Sequence, residues 1–215
     1  MSEGLSTEEV EKLKNRLKQE FSGYYEKAGG RDFRYYHLES VYKASKKIAE
    51  SEGLDIDKRV LEVAALFHDI GRKQDIEDGY MDPFEGHEGH PERSADMVRE
   101  YVEDVLTDGR IRTVEKVVGN HHSRPETVEG KILQDADRLA KYGVSDLWRM
   151  FHYASDEERP LEDTFSYFEE KGRPRLESEL EDFHFDTARE AAEERLGRQV
   201  EALERIREEA KAEDI

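Results

Sequence analysis

Residues 61–73, LEVAALFHDIGRK, constrain this chain more than any other stretch. Val60, Val63, Ala64 and Phe67 recur at the i, i+3, i+4, i+7 spacing of one helical face. His68 extends that face one turn beyond Ala64, Asp69 follows it, and Gly71 offers the left-handed geometry common at helix ends. A histidine and a carboxylate at the end of a packed helix are costly to bury unless hydrogen bonds or a metal satisfy them. With 8 His in so acidic a chain, a single His-Asp pair arises readily by chance. The weight therefore falls on what the other segments bring to this point.

Those segments are helical. Long stretches show a 3.6-residue period, few alternate as strands do, and only 5 Pro interrupt 215 residues, so the expected class is all-α. The length suits one domain or one domain with an appendage. The expected division is a core over about 30–155, an N-terminal helix over about 7–27 and a helical extension over about 156–215. Ten Tyr and nine Phe argue against disorder although 40% of residues are charged. A net charge of -19 opposes bulk nucleic-acid binding, yet leaves room for a small anionic substrate in a locally basic or metal-containing pocket. The acidic surface is also compatible with a salt-rich cytoplasm. Without Cys there is no disulfide, thiolate site or cysteine nucleophile. No apolar run nears the ~20 residues of a membrane span, and residues 1–18 lack a signal-peptide core. The expected location is cytoplasmic, with no membrane partner.

The chain then repeats one arrangement. Ser6 with Glu9 marks the start of a helix over about 7–27, and residues 28–32 read as a break. His37 opens the stripe Val41, Ala44, Ile48 of the next helix. Residues 74–89 read as a polar loop beside the site, where a lid or substrate loop would sit, with His87 in solvent. His90 starts a helix whose face includes Ser94, Met97, Val98, Tyr101 and Val105. His121 continues the stripe Ile111, Val114, Val117, Val118; adjacent His122 points about 100° away unless the helix unwinds there. Asp135 and Asp137 stand at opposite edges of the face Ile132, Leu133, Ala136, Leu139, and spacing does not choose between them. Each residue alone has a plain structural reading: a helix-end histidine or a salt-bridged aspartate. His152 reads as structural or exposed. A last helix over about 187–212, with Ala188, Ala192, Val200, Leu203 and Ile206 on one side, permits a homodimer.

His37, then His68-Asp69 within Ala65–Gly71, then Asp137 within Ala136-Asp137-Arg138-Leu139, in that order on successive helices, resemble the HD-domain superfamily of metal-dependent phosphohydrolases. Residues 134–139, with Thr187, Ala192 and Arg195, look most like its small stand-alone YpgQ/YedJ-type branch, over about residues 30–210. The resemblance implies an HD-domain helical bundle and a divalent ion held by His37, His68, Asp69 and Asp137. Such ligands suit Mn, Fe, Co, Ni or Zn better than Ca. His90, His121 and His122 resemble the extra histidines of dinuclear branches, where Asp69 would bridge two ions. No Gly-Tyr-Pro sequence occurs, so cyclic-dinucleotide activity is not expected. Arg72 and Lys73 stand where some mononuclear nucleotidases of the superfamily carry a catalytic acid.

The implied chemistry is attack of metal-activated water on the phosphorus of a nucleotide or related phosphate ester or anhydride. Asp69, Arg72 and Lys73 are the catalytic candidates. Arg72, Arg93 and Arg124 are the candidates for holding substrate phosphate, with Arg72 foremost. Two alternatives stand beside this reading: a non-catalytic HD-fold module that binds metal or nucleotide, and a di-iron HD oxygenase.

Overall fold

A computed structural model describes residues 3–27, 33–77 and 89–213 of the chain. His87 and the break at residues 28–32 lie outside the described residues, as does most of the expected loop over 74–89. Among the described residues every regular element is helical, and none is long and apolar enough to cross a membrane. The chain divides into two compact units, residues 1–137 and 138–215.

The first unit holds α1 (Thr7–Lys27), α2 (Phe33–Ser51), α3 (Lys58–Phe67), α4 (Arg72–Glu77), α5 (His90–Val102), α6 (Asp108–Gly119) and most of α7 (Val128–Leu139). α1 begins with a reciprocal cap: Glu9 N–H donates to Ser6 Oγ (3.2 Å) and Ser6 N–H to Glu9 Oε2 (2.7 Å). α3 is the axis of the unit. Asp57 caps it by accepting from the Arg59 and Val60 amides, and all eight residues from Val60 to Phe67 are buried. It packs against α2 and α6, and also touches α1 and α5. Each large apolar side chain fully buried there contributes about 1.5–3 kcal/mol. Glu62 lies within this buried run because it accepts Leu5 N–H (2.7 Å) and pairs with Lys46 (3.2 Å).

Two local expectations are corrected. Residues 72–77 form the short helix α4, so the helical path resumes directly after the His68-Asp69 turn. Gly71 is also not left-handed; among the described glycines positive φ belongs to Gly53, Gly89 and Gly143. Gly71 is needed for close approach instead. A Cβ there would lie 2.7 Å from Ser94 N and 2.8 Å from His90 O, and its own N–H donates to Ser94 Oγ (2.9 Å).

The second unit continues from α7 through α8 (Val144–Asp156), α9 (Leu161–Tyr167), a π-turn at Phe168–Gly172, α10 (Arg173–Glu179), a 3-10 turn at Leu180–Asp182 and α11 (Asp186–Lys211). Its core includes Tyr142, Phe165, Phe168 and Leu176, with Ala188, Ala192, Leu196 and Leu203 from α11. Tyr142 Oη donates to Leu176 O (2.8 Å). The buried stripe of α11 runs through Leu196 and Gln199, whereas Val200 and Ile206, expected on it, are half-buried. Gln199 belongs there because its Oε1 accepts Gly143 N–H (3.0 Å), satisfying a backbone donor at a glycine with φ +105°. His152 is half-buried against Trp148.

Candidate metal centre

Five elements of the first unit meet at one place. The α-helix of α3 closes at Phe67, leaving His68 as its cap and Asp69 in the turn that leads to α4. α2 supplies His37 from its second turn, α5 supplies His90 as its first residue, and α7 supplies Asp137. α6 stops at Gly119, so His121 and His122 lie in a turn and both reach the site. Gln134 on α7 fixes that turn, its amide donating to Asn120 O (3.3 Å) and also to Ser123 O.

The donor atoms form two groups that share Asp69. In the first, His37 Nε2 lies 3.2 Å from His68 Nε2, 3.1 Å from Asp137 Oδ1 and 3.8 Å from Asp69 Oδ2; His68 Nε2 lies 3.7 Å from Asp137 Oδ1. Adjacent ligands about 2.1 Å from one ion are themselves about 3.0–3.4 Å apart, so this spacing approaches that of a coordination shell. In the second, Asp69, His90, His121 and His122 each offer a donor atom within 4.8 Å of the others. Asp69 Oδ1 lies 3.2 Å from His90 Nε2 and 3.6 Å from His121 Nε2.

The backbone sets the imidazole tautomers. His68 Nδ1 is 3.0 Å from Ala65 O and His121 Nδ1 is 2.6 Å from Val118 O. A carbonyl only accepts, so each Nδ1 carries the proton, and the neutral form of each ring, the form that binds a metal, turns an Nε2 lone pair into the site. Asp69 Oδ1 and His121 Nε2 are buried with no hydrogen bond. Buried acceptors facing each other without a donor call for a cation between them. The residues therefore fit the divalent ion that the family resemblance implies.

Charge reinforces this. Burial pushes the Asp69 carboxyl up, but the Arg72 and His68 charges outweigh it and hold it well below the ordinary range. Asp137 is likewise held far down against burial, by its bonds to His37 and His68. Burial lowers His37, overcoming Asp137. In His68 the burial penalty is outweighed by Asp69 and Asp137, and its value rises. The centre thus keeps two anionic carboxylates at neutral pH.

Asp135 is fully buried, but it is Asp137 that meets His37 and His68. Arg72 is buried in the centre, Nε 3.1 Å from Asp69 Oδ2 and Nη2 3.3 Å from His90 Nε2. The other expected cations are not brought into the cluster. Lys73 pairs with Glu20 of α1, Arg93 Nε reaches Gly71 O (3.4 Å), and Arg124 is exposed. Arg34, which the sequence reading missed, lies 3.6 Å from Asp69 Oδ2. Its signal was its position one helical turn before His37, on the same face. Gln134 was missed as well; only its place in the Asp135–Asp137 element hinted at a role.

Comparison with known proteins agrees with this geometry. No curated protein matches the chain. Among solved structures, it is similar to a predicted HD superfamily hydrolase from an uncultured Thermotogales bacterium, at 27% identity over 92% of this chain and 90% of that one (TM-score 0.62). It shares its fold with an HD-superfamily hydrolase from Bacillus thuringiensis (24% identity, 95% and 98% covered, TM-score 0.63). The same fold is seen in Bacillus subtilis YpgQ, solved in complex with ADP (20% identity, 94% and 95% covered, TM-score 0.63). These matches cover 92% to 95% of the chain and so extend beyond residues 30–155. Residues 34–142, which contain every histidine and carboxylate of the centre, match the HD domain, and the chain belongs to that family.

Proposed function

We propose that this protein is a metal-dependent phosphohydrolase acting on a nucleotide or a related phosphate ester or anhydride. The observation that carries the reading is the charge balance of the centre. The carboxylates of Asp69 and Asp137 are matched by the guanidiniums of Arg34 and Arg72, both close to Asp69. The charge of any divalent ion held by His37, His68, Asp69 and Asp137 is then left for a ligand to neutralise, and a phosphate does this. A chain of net charge -19 can take an anionic substrate because its local field at this point differs from its overall field. The YpgQ structure, with ADP and the same fold, supports the nucleotide class.

A divalent ion bound here would lower the pKa of coordinated water toward neutrality and polarise a phosphoryl oxygen. Asp69 and Asp137, held anionic, serve as ligands and orienters and not as proton donors at neutral pH. Arg34 and Arg72 fix Asp69 and favour negative charge developing on phosphate oxygens. Arg93 and Arg124 would serve the outer part of a substrate, and Lys73 acts through its pairing with Glu20 to hold the start of α4.

The test is phosphate or pyrophosphate release from a panel of nucleotides with Mn²⁺ added, comparing the native protein with His68→Ala. Release by the native protein that is lost in the variant is the expected result. Mn²⁺ binding through His68 with no release from any nucleotide would favour the non-catalytic module.

A further inference from the structure

Arg72 stands in an unusual place for a cation. It is buried, and so are its two neighbours, Asp69 and His90. Its Nε donates to Asp69 Oδ2 (3.1 Å), and its Nη2 lies 3.3 Å from His90 Nε2. A guanidinium can only donate, so the neutral His90 ring accepts through Nε2. This assignment agrees with Asp69 Oδ1, which lies 3.2 Å from the same nitrogen and makes no hydrogen bond. Were His90 Nε2 protonated, it would face the guanidinium donor to donor.

The Nε2 of His90 has one lone pair. That lone pair is what His90 would offer to an ion at the group formed with Asp69, His121 and His122. Arg72 therefore claims a ligand of that group while placing a positive charge beside it. It does not satisfy the whole group, since Asp69 Oδ1 and His121 Nε2 stay buried without a hydrogen bond. The first group is different: Arg72 touches it only through Asp69 Oδ2, whose second lone pair stays available, while His37, His68 and Asp137 keep their mutual spacing.

We propose that Arg72 makes the two cation positions unequal. The position bounded by His37, His68, Asp69 and Asp137 fills first. The position bounded by Asp69, His90, His121 and His122 takes a second ion only when His90 gives up the guanidinium. Arg72 is thus a resident cation that holds the second position in check and favours a singly loaded state. This inference rests on the metal-binding reading above but not on hydrolysis.

Titration with Mn²⁺ alone, counting bound ions from the electron paramagnetic resonance of the free ion, tests it without reference to activity. The native protein should bind one ion tightly and a second at least roughly tenfold more weakly. Arg72→Gln removes the charge but keeps a donor for Asp69 Oδ2. It should tighten the second event by roughly 10- to 100-fold, the range seen when a partner of a metal ligand is changed, and leave the first within about threefold. Adding His90→Ala to that variant should abolish the gain. Two equal events in the native protein overturn the proposal whether or not the variant folds. A second event unchanged in folded Arg72→Gln overturns it as well. Absence of any bound ion in the native protein removes the metal-binding reading itself.

Discussion

At the scale of single residues, the centre depends on backbone positions as much as on its ligands. Gly71 lets the His68-Asp69 turn touch the start of α5, where a methyl group would meet the Ser94 amide and the His90 carbonyl. Gly71→Ala should cost about 1–3 kcal/mol in urea unfolding, the usual cost of overpacking, and should weaken Mn²⁺ binding because Asp69 and His90 are pushed apart. An unchanged midpoint with unchanged Mn²⁺ affinity would contradict that account. The ligand types were legible in the sequence because His37, His68, His90 and His121 each interrupt an apolar period. The reason for Gly71 was not legible, since close approach between segments about 20 residues apart leaves no local periodic mark. Arg72 was foremost of the two adjacent cations in the sequence, and the roughly 100° between neighbouring helical positions separates their fates: Arg72 points to Asp69 and Lys73 to Glu20.

At the scale of elements, caps and buried polar groups set the helix boundaries. The Ser6–Glu9 cap was readable because its spacing is local; Ser6→Ala should lower stability by about 1 kcal/mol in chemical unfolding, and no loss would mean that α1 is held by packing alone. The end of α6 was harder to place. Apolar spacing carried the helix on to His121, whereas the bonds from Gln134 hold residues 120–123 in a turn. That turn is what lets adjacent His121 and His122 reach one group, which a continuous helix would not allow. α11 shows the same limit. A period built from apolar residues passes over Gln199, yet its carbonyl oxygen satisfies Gly143 N–H inside the second unit. Gln199→Ala should leave that amide unpaired and cost about 1–3 kcal/mol. Denaturant unfolding followed through Trp148, which lies in the same unit, reads this directly, and an unshifted transition would show that the amide finds another acceptor.

At the scale of the whole molecule, the centre links stability to pH and to metal. In the metal-free protein Asp69 and Asp137 are held below the ordinary 3.8, so their contribution is complete above that value and is lost as pH falls toward their folded values. His37 is held below 6.5, so the unfolded chain takes up its proton first and acid again favours unfolding. His68 acts oppositely: it is raised, and its contribution is present below 6.5 and fades as pH rises through its folded value. With both aspartates losing their contribution together, the melting temperature should fall as pH drops below about 4. Asp137→Asn should flatten the lower part of that fall; equal slopes in the two proteins would remove Asp137 from the explanation. Mn²⁺ at 100 times its dissociation constant should add about 2.7 kcal/mol at neutral pH, an increment lost on chelation.

The most direct measurement is the anomalous scattering of Mn²⁺ in crystals of the native protein grown with limiting metal. The account predicts a peak within coordination distance of His37 Nε2, His68 Nε2, Asp137 and an Asp69 oxygen. Density at that metal's edge lying elsewhere, with these four side chains bonded only to one another, would contradict it.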